Sequence, residues 1–178
     1  NLITLYHLIF IVKIKNNMRV CILGHGLSSL TLAKALVNQN IYVEIISFKK
    51  NQKINHSRTL GISKSNINFF NKNIINIEKL LWKLKKIEIY TDNLKNEKLL
   101  NFEKNDNQIF SIIKNHELHR VLEKNLIKSK YFKKRYLKNV NSSFLKNYNI
   151  IINCDYLYNF TNKYFSKKII KEYNSIAY

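Results

Sequence analysis

Residues 18–48, MRVCILGHGLSSLTLAKALVNQNIYVEIISF, decide the fold of this 178-residue chain. Residues 20–23 form a short apolar segment typical of a buried strand, and residues 30–37 carry apolar side chains at helical spacing. After a short polar break, residues 41–48 have the composition of a second buried strand. A strand, a glycine turn, a helix and a strand within some thirty residues predict a βαβ unit. Such a unit winds right-handed into a parallel sheet.

The turn inside this unit has the pattern Gly24-x-Gly26-x-x-Ser29. In a dinucleotide site the first glycine permits a sharp turn, and the second lets backbone amides approach a pyrophosphate. The third position keeps the helix close to the strand, and the helix N-terminus attracts the phosphates. Serine is small enough for the third position, so the pattern predicts a dinucleotide-binding site. A purely structural turn is the alternative.

An acidic residue that binds the ribose is expected at the end of the second strand, where this sequence has Ser47. A serine hydroxyl can form one hydrogen bond there but not the charged bidentate pair of a carboxylate. Glu44 comes three residues earlier and has the period-two parity of the opposite sheet face. We therefore expect Glu44 to be a solvent-facing or edge residue and not a ribose ligand.

The remaining pattern predicts further helices and strands around this unit. Helices are expected at about 64–71, 77–84 and 116–127, the last with apolar residues along one face. Strands of a smaller sheet are expected at 87–90, 99–102 and 110–113, and two more strands at 148–154 and 168–178. The predicted class is α/β, with a parallel sheet built on residues 20–23, 41–47 and 148–154 plus a smaller antiparallel sheet.

The composition is strongly basic, with a formal net charge of +20, and it contains no proline and three glycines. The 27 lysines are spread along the whole chain and there are four arginines. Asn, Lys and Ile are residues of A/T-rich codons, so codon bias explains the charge better than a nucleic-acid or membrane surface does. Two cysteines exclude a disulfide scaffold and suit a reducing compartment. The sequence contains no repeat and no apolar run long enough to span a bilayer.

Residues 1–17 differ from the rest of the chain. They contain an apolar run that is too short for a membrane span and lacks the flanks of a secretory signal. The single methionine, Met18, directly precedes the first predicted strand. We interpret residues 1–17 as upstream of the natural start and outside the fold, and residues 18–178 as one domain. A leader that touches a membrane is the competing interpretation.

Two other groups of residues have side chains that occur in functional sites. His116 and His119 are three residues apart on a predicted helix, but no third metal ligand is evident, so no metal site is predicted. Residues 131–136 (YFKKRY) combine aromatic and basic side chains as some single-stranded nucleic-acid grooves do. A half-exposed strand in a lysine-rich chain is the simpler explanation, and no specific nucleic-acid partner is expected.

From Met18 onward the chain resembles the N-terminal part of FAD-dependent aromatic-ring monooxygenases, and within them the ubiquinone-biosynthesis hydroxylases of the p-hydroxybenzoate hydroxylase-like group. Four segments carry the resemblance, and they occur in the family's order. Residues 18–29 resemble the opening dinucleotide fingerprint, and residues 57–63 (SRTLGIS) an arginine-containing segment that lies against the flavin. Residues 113–122 (IKNHELHRVL) and 150–155 (IIINCD) resemble two later segments of the family.

The resemblance implies a Rossmann-like FAD-binding domain that is incomplete relative to the family. It implies that seven residues bind the cofactor: Gly24, Gly26, Ser29, Ser47, Arg58, Arg120 and Asp155. Surface ion pairs are the alternative for the two arginines. The chain departs from the family pattern at three positions. Ser29 replaces the third glycine, Ser47 replaces the ribose-binding acid, and Tyr156 follows Asp155 in place of glycine.

By resemblance, the chain is the FAD-binding portion of a monooxygenase that hydroxylates an aromatic ubiquinone precursor with NAD(P)H and O2. This portion is expected to be inactive alone, and its catalytic residues are not identified. The substrate would be an aromatic small molecule with or without a prenyl chain. The expected location is the cytoplasm, with peripheral contact to the inner membrane left open. The alternatives are a stand-alone dinucleotide-binding protein and a basic protein that binds nucleic acid or a membrane surface.

Overall fold

The computed structural model describes residues 18–48, 55–91, 98–103, 110–138 and 140–155. The expectations for residues 1–17 and for a strand at 168–178 lie outside the described residues. The elements in chain order are β1 (Arg19–Leu23), α1 (Leu27–Val37), β2 (Tyr42–Ser47), β3 (Thr59–Ile62), α2 (Lys64–Asn73), β4 (Leu81–Leu84), β5 (Lys86–Tyr90), β6 (Lys98–Glu103), β7 (Phe110–Lys114), α3 (Asn115–Ile127), β8 (Phe132–Tyr136), α4 (Ser142–Leu145) and β9 (Ile150–Asn153).

The centre of the fold is a four-stranded parallel sheet in the order β8-β2-β1-β9. In register, Val20 of β1 lies opposite Val43 of β2 on one side and Ile150 of β9 on the other. The β1-α1-β2 unit forms as predicted, because continuous apolar strands can be buried on both faces of a parallel sheet. The sequence assigned strands β1, β2 and β9 to this sheet. For residues 131–136 the sequence predicted only a half-exposed strand. In the structure this segment contains β8, which is an edge strand of the sheet.

Period-two alternation divides the side chains of the parallel sheet between two cores. Val20, Ile22 and Val43 face the larger core, which contains the buried sides of α1, α2 and α3. Cys21 and Ile46 face a smaller core on the opposite side, closed by α4 and by the segments on either side of it. The larger core therefore fixes α1 against the sheet, and this contact sets the direction of the glycine turn.

The middle of the chain forms two antiparallel sheets where the sequence predicted one. Strands β3, β7 and β4 form a three-stranded sheet in that order, whereas β5 and β6 pair only with each other among the described strands. The helix predicted at 77–84 was wrong over its second half, since a 3-10 turn at Glu78–Leu80 leads into strand β4. Leu81 of β4 lies opposite Ile113 of β7, so pairing with a distant strand overrides the local helical spacing.

Residues 57–63 were expected to lead directly into a helix, and they contain strand β3 before that helix begins. Ser63 then ends the strand and caps α2, because its hydroxyl accepts a hydrogen bond from the amide of Asn66 at 3.3 Å. Within the described ranges, no helix combines the length and apolar composition that crossing a membrane requires.

Candidate dinucleotide-binding site

The glycine turn follows β1 at the edge of the parallel sheet where the strands end. Gly24 has φ +106°, a conformation that residues with a side chain rarely adopt. Its amide donates to the carbonyl of Ile46 at 2.8 Å, and the Cys154 amide donates to the carbonyl of Leu23 at 2.8 Å. The turn is thus held between β2 and β9, and the sharp change of direction predicted for the first glycine is confirmed.

Gly26 is the N-cap of α1 and has extended backbone with φ −85°. A methyl group added at Gly26 would meet no atom within 4 Å, so open space lies directly over the turn. The first helical hydrogen bond of α1 is donated by the amide of Leu30 to the carbonyl of the N-cap, Gly26, at 3.0 Å. The structure gives the amides of Leu27 and Ser28 no acceptor among the described residues, as expected for the first turn of a helix.

Ser29, at the third position of the pattern, is fully buried on α1. It lies near the thiol of Cys154, the residue directly after β9. Burial raises the pKa of this thiol above its ordinary value, and the contact with Ser29 opposes that rise. A serine therefore fits between helix and sheet at the third position of the pattern, where it is fully buried.

Ser47 is the last residue of β2 and is nearly buried, and its carbonyl accepts a hydrogen bond from the amide of Leu137 at 3.1 Å. By alternation along β2, Ser47 shares a face with Val43 and Ile45, which is the face that α1 covers. Ser47, which the sequence predicts to lie beside the ribose, is therefore on the same side of the sheet as α1.

Glu44 was expected to face solvent or to lie at an edge, and this prediction is wrong. It occupies a central strand and is 1% exposed, on the sheet face opposite α1. One carboxyl oxygen lies 2.7 Å from Nε of Arg135, and the other accepts a hydrogen bond from the Tyr148 hydroxyl at 2.7 Å. Both partners are distant in sequence, so nothing local to β2 could reveal them.

The buried Glu44 carboxyl raises the pKa values of two neighbouring groups on the sheet face opposite α1. Burial, the hydrogen bond to Glu44 and its charge raise the pKa of Tyr148 above the ordinary range. Burial and the Glu44 carboxyl also raise the pKa of Cys21 to about 12, which leaves this thiol unreactive.

A shallow cavity of about 490 Å³ opens nearby, lined by Leu137, Asn141, Ser143, Phe144 and Asn147. None of the seven predicted cofactor-binding residues lines it.

The two arginines of the predicted site are both associated with α3. Arg58 precedes β3, and its carbonyl accepts a hydrogen bond from the amide of Asn115, the first residue of α3, at 3.0 Å. Arg120 lies on α3 itself. Both side chains are exposed, and neither forms a salt bridge within the described part of the chain. The structure therefore brings the backbone of Arg58 to the start of the helix that carries Arg120, which the sequence alone did not show.

Asp155 follows β9 and lies against the glycine turn. A methyl group at Gly24 would come within 3.1 Å of both Cβ and the amide nitrogen of Asp155. The Asp155 amide donates to the side chain of Asn153 at 3.1 Å. Asp155 thus adjoins the turn, although 128 or more residues separate it from the turn's glycines. Tyr156, the departure noted next to it, lies outside the described residues.

Sequence reasoning missed a histidine cluster beneath the turn. His25, between the two glycines, is buried, and its ring packs edge-to-face against the His119 ring with centroids 5.0 Å apart. Nε2 of His119 lies 3.2 Å from the carbonyl of His25, and Nε2 of His25 lies 3.1 Å from Glu123 Oε1. The only signal in the sequence was an unusual imidazole between the glycines.

His116 and His119 contact different parts of the molecule. His116 stacks on the His56 ring with centroids 4.4 Å apart, whereas His119 is buried against the glycine turn. The described residues contain no group of three or more metal-ligating side chains suited to a metal ion.

No protein-family model and no curated protein matches the sequence. Solved structures do match the fold. The p-nitrophenol 4-monooxygenase PnpA from Pseudomonas putida DLL-E4 matches over 69% of this chain and 32% of its own, with a TM-score of 0.57 and 11% identity. PqsL from Pseudomonas aeruginosa, described as a probable FAD-dependent monooxygenase, matches over 68% of this chain and 33% of its own, with a TM-score of 0.56 and 16% identity.

The flavin-dependent monooxygenase PieE, solved with FAD and substrate, matches over 68% of this chain and 24% of its own, with a TM-score of 0.54 and 12% identity. The chain spans about a third or less of the length of these proteins. At these identities the likeness is one of fold. The chain therefore has an α/β fold whose parallel sheet and smaller antiparallel sheets correspond to part of the FAD-dependent monooxygenase fold.

Proposed function

We propose that this chain is the FAD-binding portion of a flavin-dependent monooxygenase that hydroxylates an aromatic ring. The observation that carries the proposal is the turn at Gly24 and Gly26. It joins a parallel strand to a helix, bends at a left-handed glycine, and leaves open space over amides at the helix N-terminus. Backbone amides and the helix dipole stabilise a bound pyrophosphate in such a turn. The fold shared with FAD-dependent monooxygenases supports FAD as the dinucleotide.

The residues present fit a dinucleotide. Gly26 has room for the pyrophosphate where any side chain would intrude, and Ser47 lies on the same sheet face as α1, where it can hydrogen-bond a ribose hydroxyl. Arg58 and Arg120 present exposed guanidinium groups that can neutralise phosphate charge. Asp155 supports the turn from β9. When bound, a flavin would supply hydride acceptance from NAD(P)H and activation of O2, while this chain would bind and orient it.

The finer assignment concerns the substrate. We propose a ubiquinone precursor, an aromatic ring with or without a prenyl chain, on the basis of the four sequence segments that resemble the ubiquinone-biosynthesis hydroxylases. Hydroxylation also needs groups that enclose the reacting ring and exclude water. We propose that this chain binds the cofactor weakly and is not catalytic alone. We also propose that it is located in the cytoplasm or at the inner membrane surface.

Equilibrium dialysis with FAD tests the proposal. We expect Gly26→Asp to abolish binding, because a carboxylate would occupy the space over the turn and repel the pyrophosphate. We expect Ser47→Glu to strengthen binding, since a charged hydrogen bond to the ribose contributes about 1.5–3 kcal/mol. That range corresponds to roughly ten- to a hundred-fold in affinity. Thermal melts of both variants control for losses of folding.

The same dialysis distinguishes the alternatives. Binding of NAD or NADP in preference to FAD would favour a stand-alone dinucleotide-binding protein. FAD binding that is indifferent to both substitutions and disappears with added salt would indicate a general basic surface, and the proposed site would then be wrong.

A further inference from the structure

A cluster of ionisable side chains lies beneath the glycine turn, and the proposed function does not use it. It consists of His25 in the turn, His119 and Glu123 on α3, and Lys134 on β8. Glu123 lies at its centre, with Oε1 3.1 Å from His25 Nε2 and 2.6 Å from Lys134 Nζ. Oε2 lies 3.9 Å from His119 Nδ1. Both histidines are at least nine-tenths buried, so the cluster is part of the interior.

The contact between His119 and His25 has a defined direction. Nε2 of His119 lies 3.2 Å from the carbonyl oxygen of His25. A carbonyl can only accept a hydrogen bond, so Nε2 of His119 must carry the proton and donate it. Helix α3 begins at Asn115 and packs into the larger core through Leu118 and Leu122. The donor, His119, is therefore held on a rigid element.

A peptide bond is planar and trans, and its C=O and N–H therefore point in opposite directions. The carbonyl of His25 and the amide of Gly26 belong to the same peptide. When His119 holds that carbonyl toward α3, the Gly26 amide points away from α3. The structure gives this amide no acceptor among the described residues. Without the contact the peptide could rotate, because glycine tolerates backbone conformations of either sign of φ.

We infer that His119 is a positioning residue, which orients the His25–Gly26 peptide so that the Gly26 amide is available to an anionic ligand of the turn. The anion class is the pyrophosphate of a dinucleotide, and this part of the inference rests on the proposed function. Glu123 assists by contacting the ring of His25 from the same helix, and Lys134 compensates the charge of Glu123 from β8. The turn is thereby tied to α3 and β8 as well as to β2 and β9.

The test compares His119→Leu, which removes the donor and keeps most of the volume, with His119→Gln, which restores an N–H donor. His116→Leu and His116→Gln are matched controls on the same helix, since His116 stacks on His56 and does not contact the turn. Two measurements are made on the folded chain. One is FAD affinity by equilibrium dialysis. The other is hydrogen exchange at the amides of Gly24 and Leu30, read against the amide of Val43 in β2.

We expect His119→Leu to weaken FAD binding about tenfold and His119→Gln to bind within about threefold of the parent chain. We also expect His119→Leu to speed exchange at Gly24 and Leu30 at least fivefold relative to Val43, with no such change in His119→Gln or the His116 variants. A purely structural role would speed exchange at all three amides alike and would not distinguish Leu from Gln.

The two measurements separate the inference from the proposed function. Failure of the parent chain to bind FAD would overturn the proposed function, while selective exchange at the turn would still support the positioning role of His119. Unaltered or uniform exchange in His119→Leu would overturn the positioning role whatever the affinity for FAD. If the parent chain binds FAD, an equal FAD affinity of His119→Leu would also overturn the positioning role.

Discussion

At the scale of single residues, the two glycines of the turn meet different physical requirements. Gly24 needs its left-handed backbone conformation and lies against Asp155, so a side chain there would be strained and crowded. Gly26 has an ordinary backbone conformation and open space, so its lack of a side chain matters only to a ligand. The first glycine therefore serves the fold, and the second serves the proposed site.

Alanine substitutions should separate these two roles. We expect Gly24→Ala to lower the free energy of unfolding by about 1–3 kcal/mol, the range for strained backbone positions. We expect Gly26→Ala to change it by less than about 1 kcal/mol, because alanine fits the conformation and space present. Urea unfolding of both variants measures this, and dialysis should show weaker FAD binding by Gly26→Ala. Equal destabilisation by the two changes would contradict the assignment.

The buried carboxyl of Glu44 offers a second prediction at this scale. Tyr148→Phe removes the hydroxyl that donates to Glu44, so we expect a loss of about 1.5–3 kcal/mol in the free energy of unfolding. Tyr42→Phe is the matched control, because the Tyr42 hydroxyl forms no hydrogen bond within the described residues. We expect a change below about 0.5 kcal/mol for it. Equal effects of the two substitutions in denaturant titrations would argue against the contact.

At the scale of elements, the secondary structures differ in how far they contribute to the core. Helix α3 buries Leu118, Leu122 and Leu126 in the larger core and also carries the positioning residue. The hairpin of β5 and β6 instead leaves Leu100 about half exposed, and two strands alone have little independent stability. The stability of the fold therefore depends on α3 far more than on the hairpin.

Matched Leu-to-Ala substitutions test this difference. We expect Leu122→Ala to lower the free energy of unfolding by about 2–5 kcal/mol, because it leaves a cavity in the larger core. We expect Leu100→Ala to lower it by less than about 1 kcal/mol, since the side chain is half exposed already. Chemical denaturation followed by circular dichroism measures both. A similar loss for the two variants would show that the hairpin belongs to the cooperative core.

At the scale of the whole molecule, stability depends on pH through the cluster under the turn. Burial, followed by the charge of Lys134, lowers the pKa of His25 from 6.5 to about 4, and Glu123 opposes this shift. Burial favours the neutral form of Glu123, but the hydrogen bond to Lys134 and its charge outweigh burial and lower the pKa of that carboxyl. At neutral pH the cluster therefore contains an uncharged His25 and an ionised Glu123.

We expect the free energy of unfolding to fall as the pH drops from 6.5 toward 4. In this window the unfolded chain protonates His25 and the folded chain does not, so acid favours unfolding. At pH 5 the loss relative to pH 7 should be about 2 kcal/mol. His25→Gln should remove this part of the pH dependence, which urea titrations at pH 7 and pH 5 will show. An identical pH dependence in the variant would refute the buried, neutral His25.

The sequence by itself determined the β1-α1-β2 unit, the parallel sheet and the glycine turn at Gly24 and Gly26. Their signals are local, because alternation of apolar residues, helical spacing and glycine's backbone freedom all act within a few residues. The roles of the seven predicted cofactor-binding residues stay predictions, although the structure places Asp155 beside Gly24 and the backbone of Arg58 at the start of α3.

Only the tertiary structure decided which residues meet across the chain. Strand β4 replaced a predicted helix because its register partner is β7, and Glu44 is buried because Arg135 and Tyr148 compensate it. The contact of His119 with His25 spans 94 residues. Contacts of this kind depend on how the sheets and helices pack. A polar residue such as Glu44 needs a partner only once that packing has buried it.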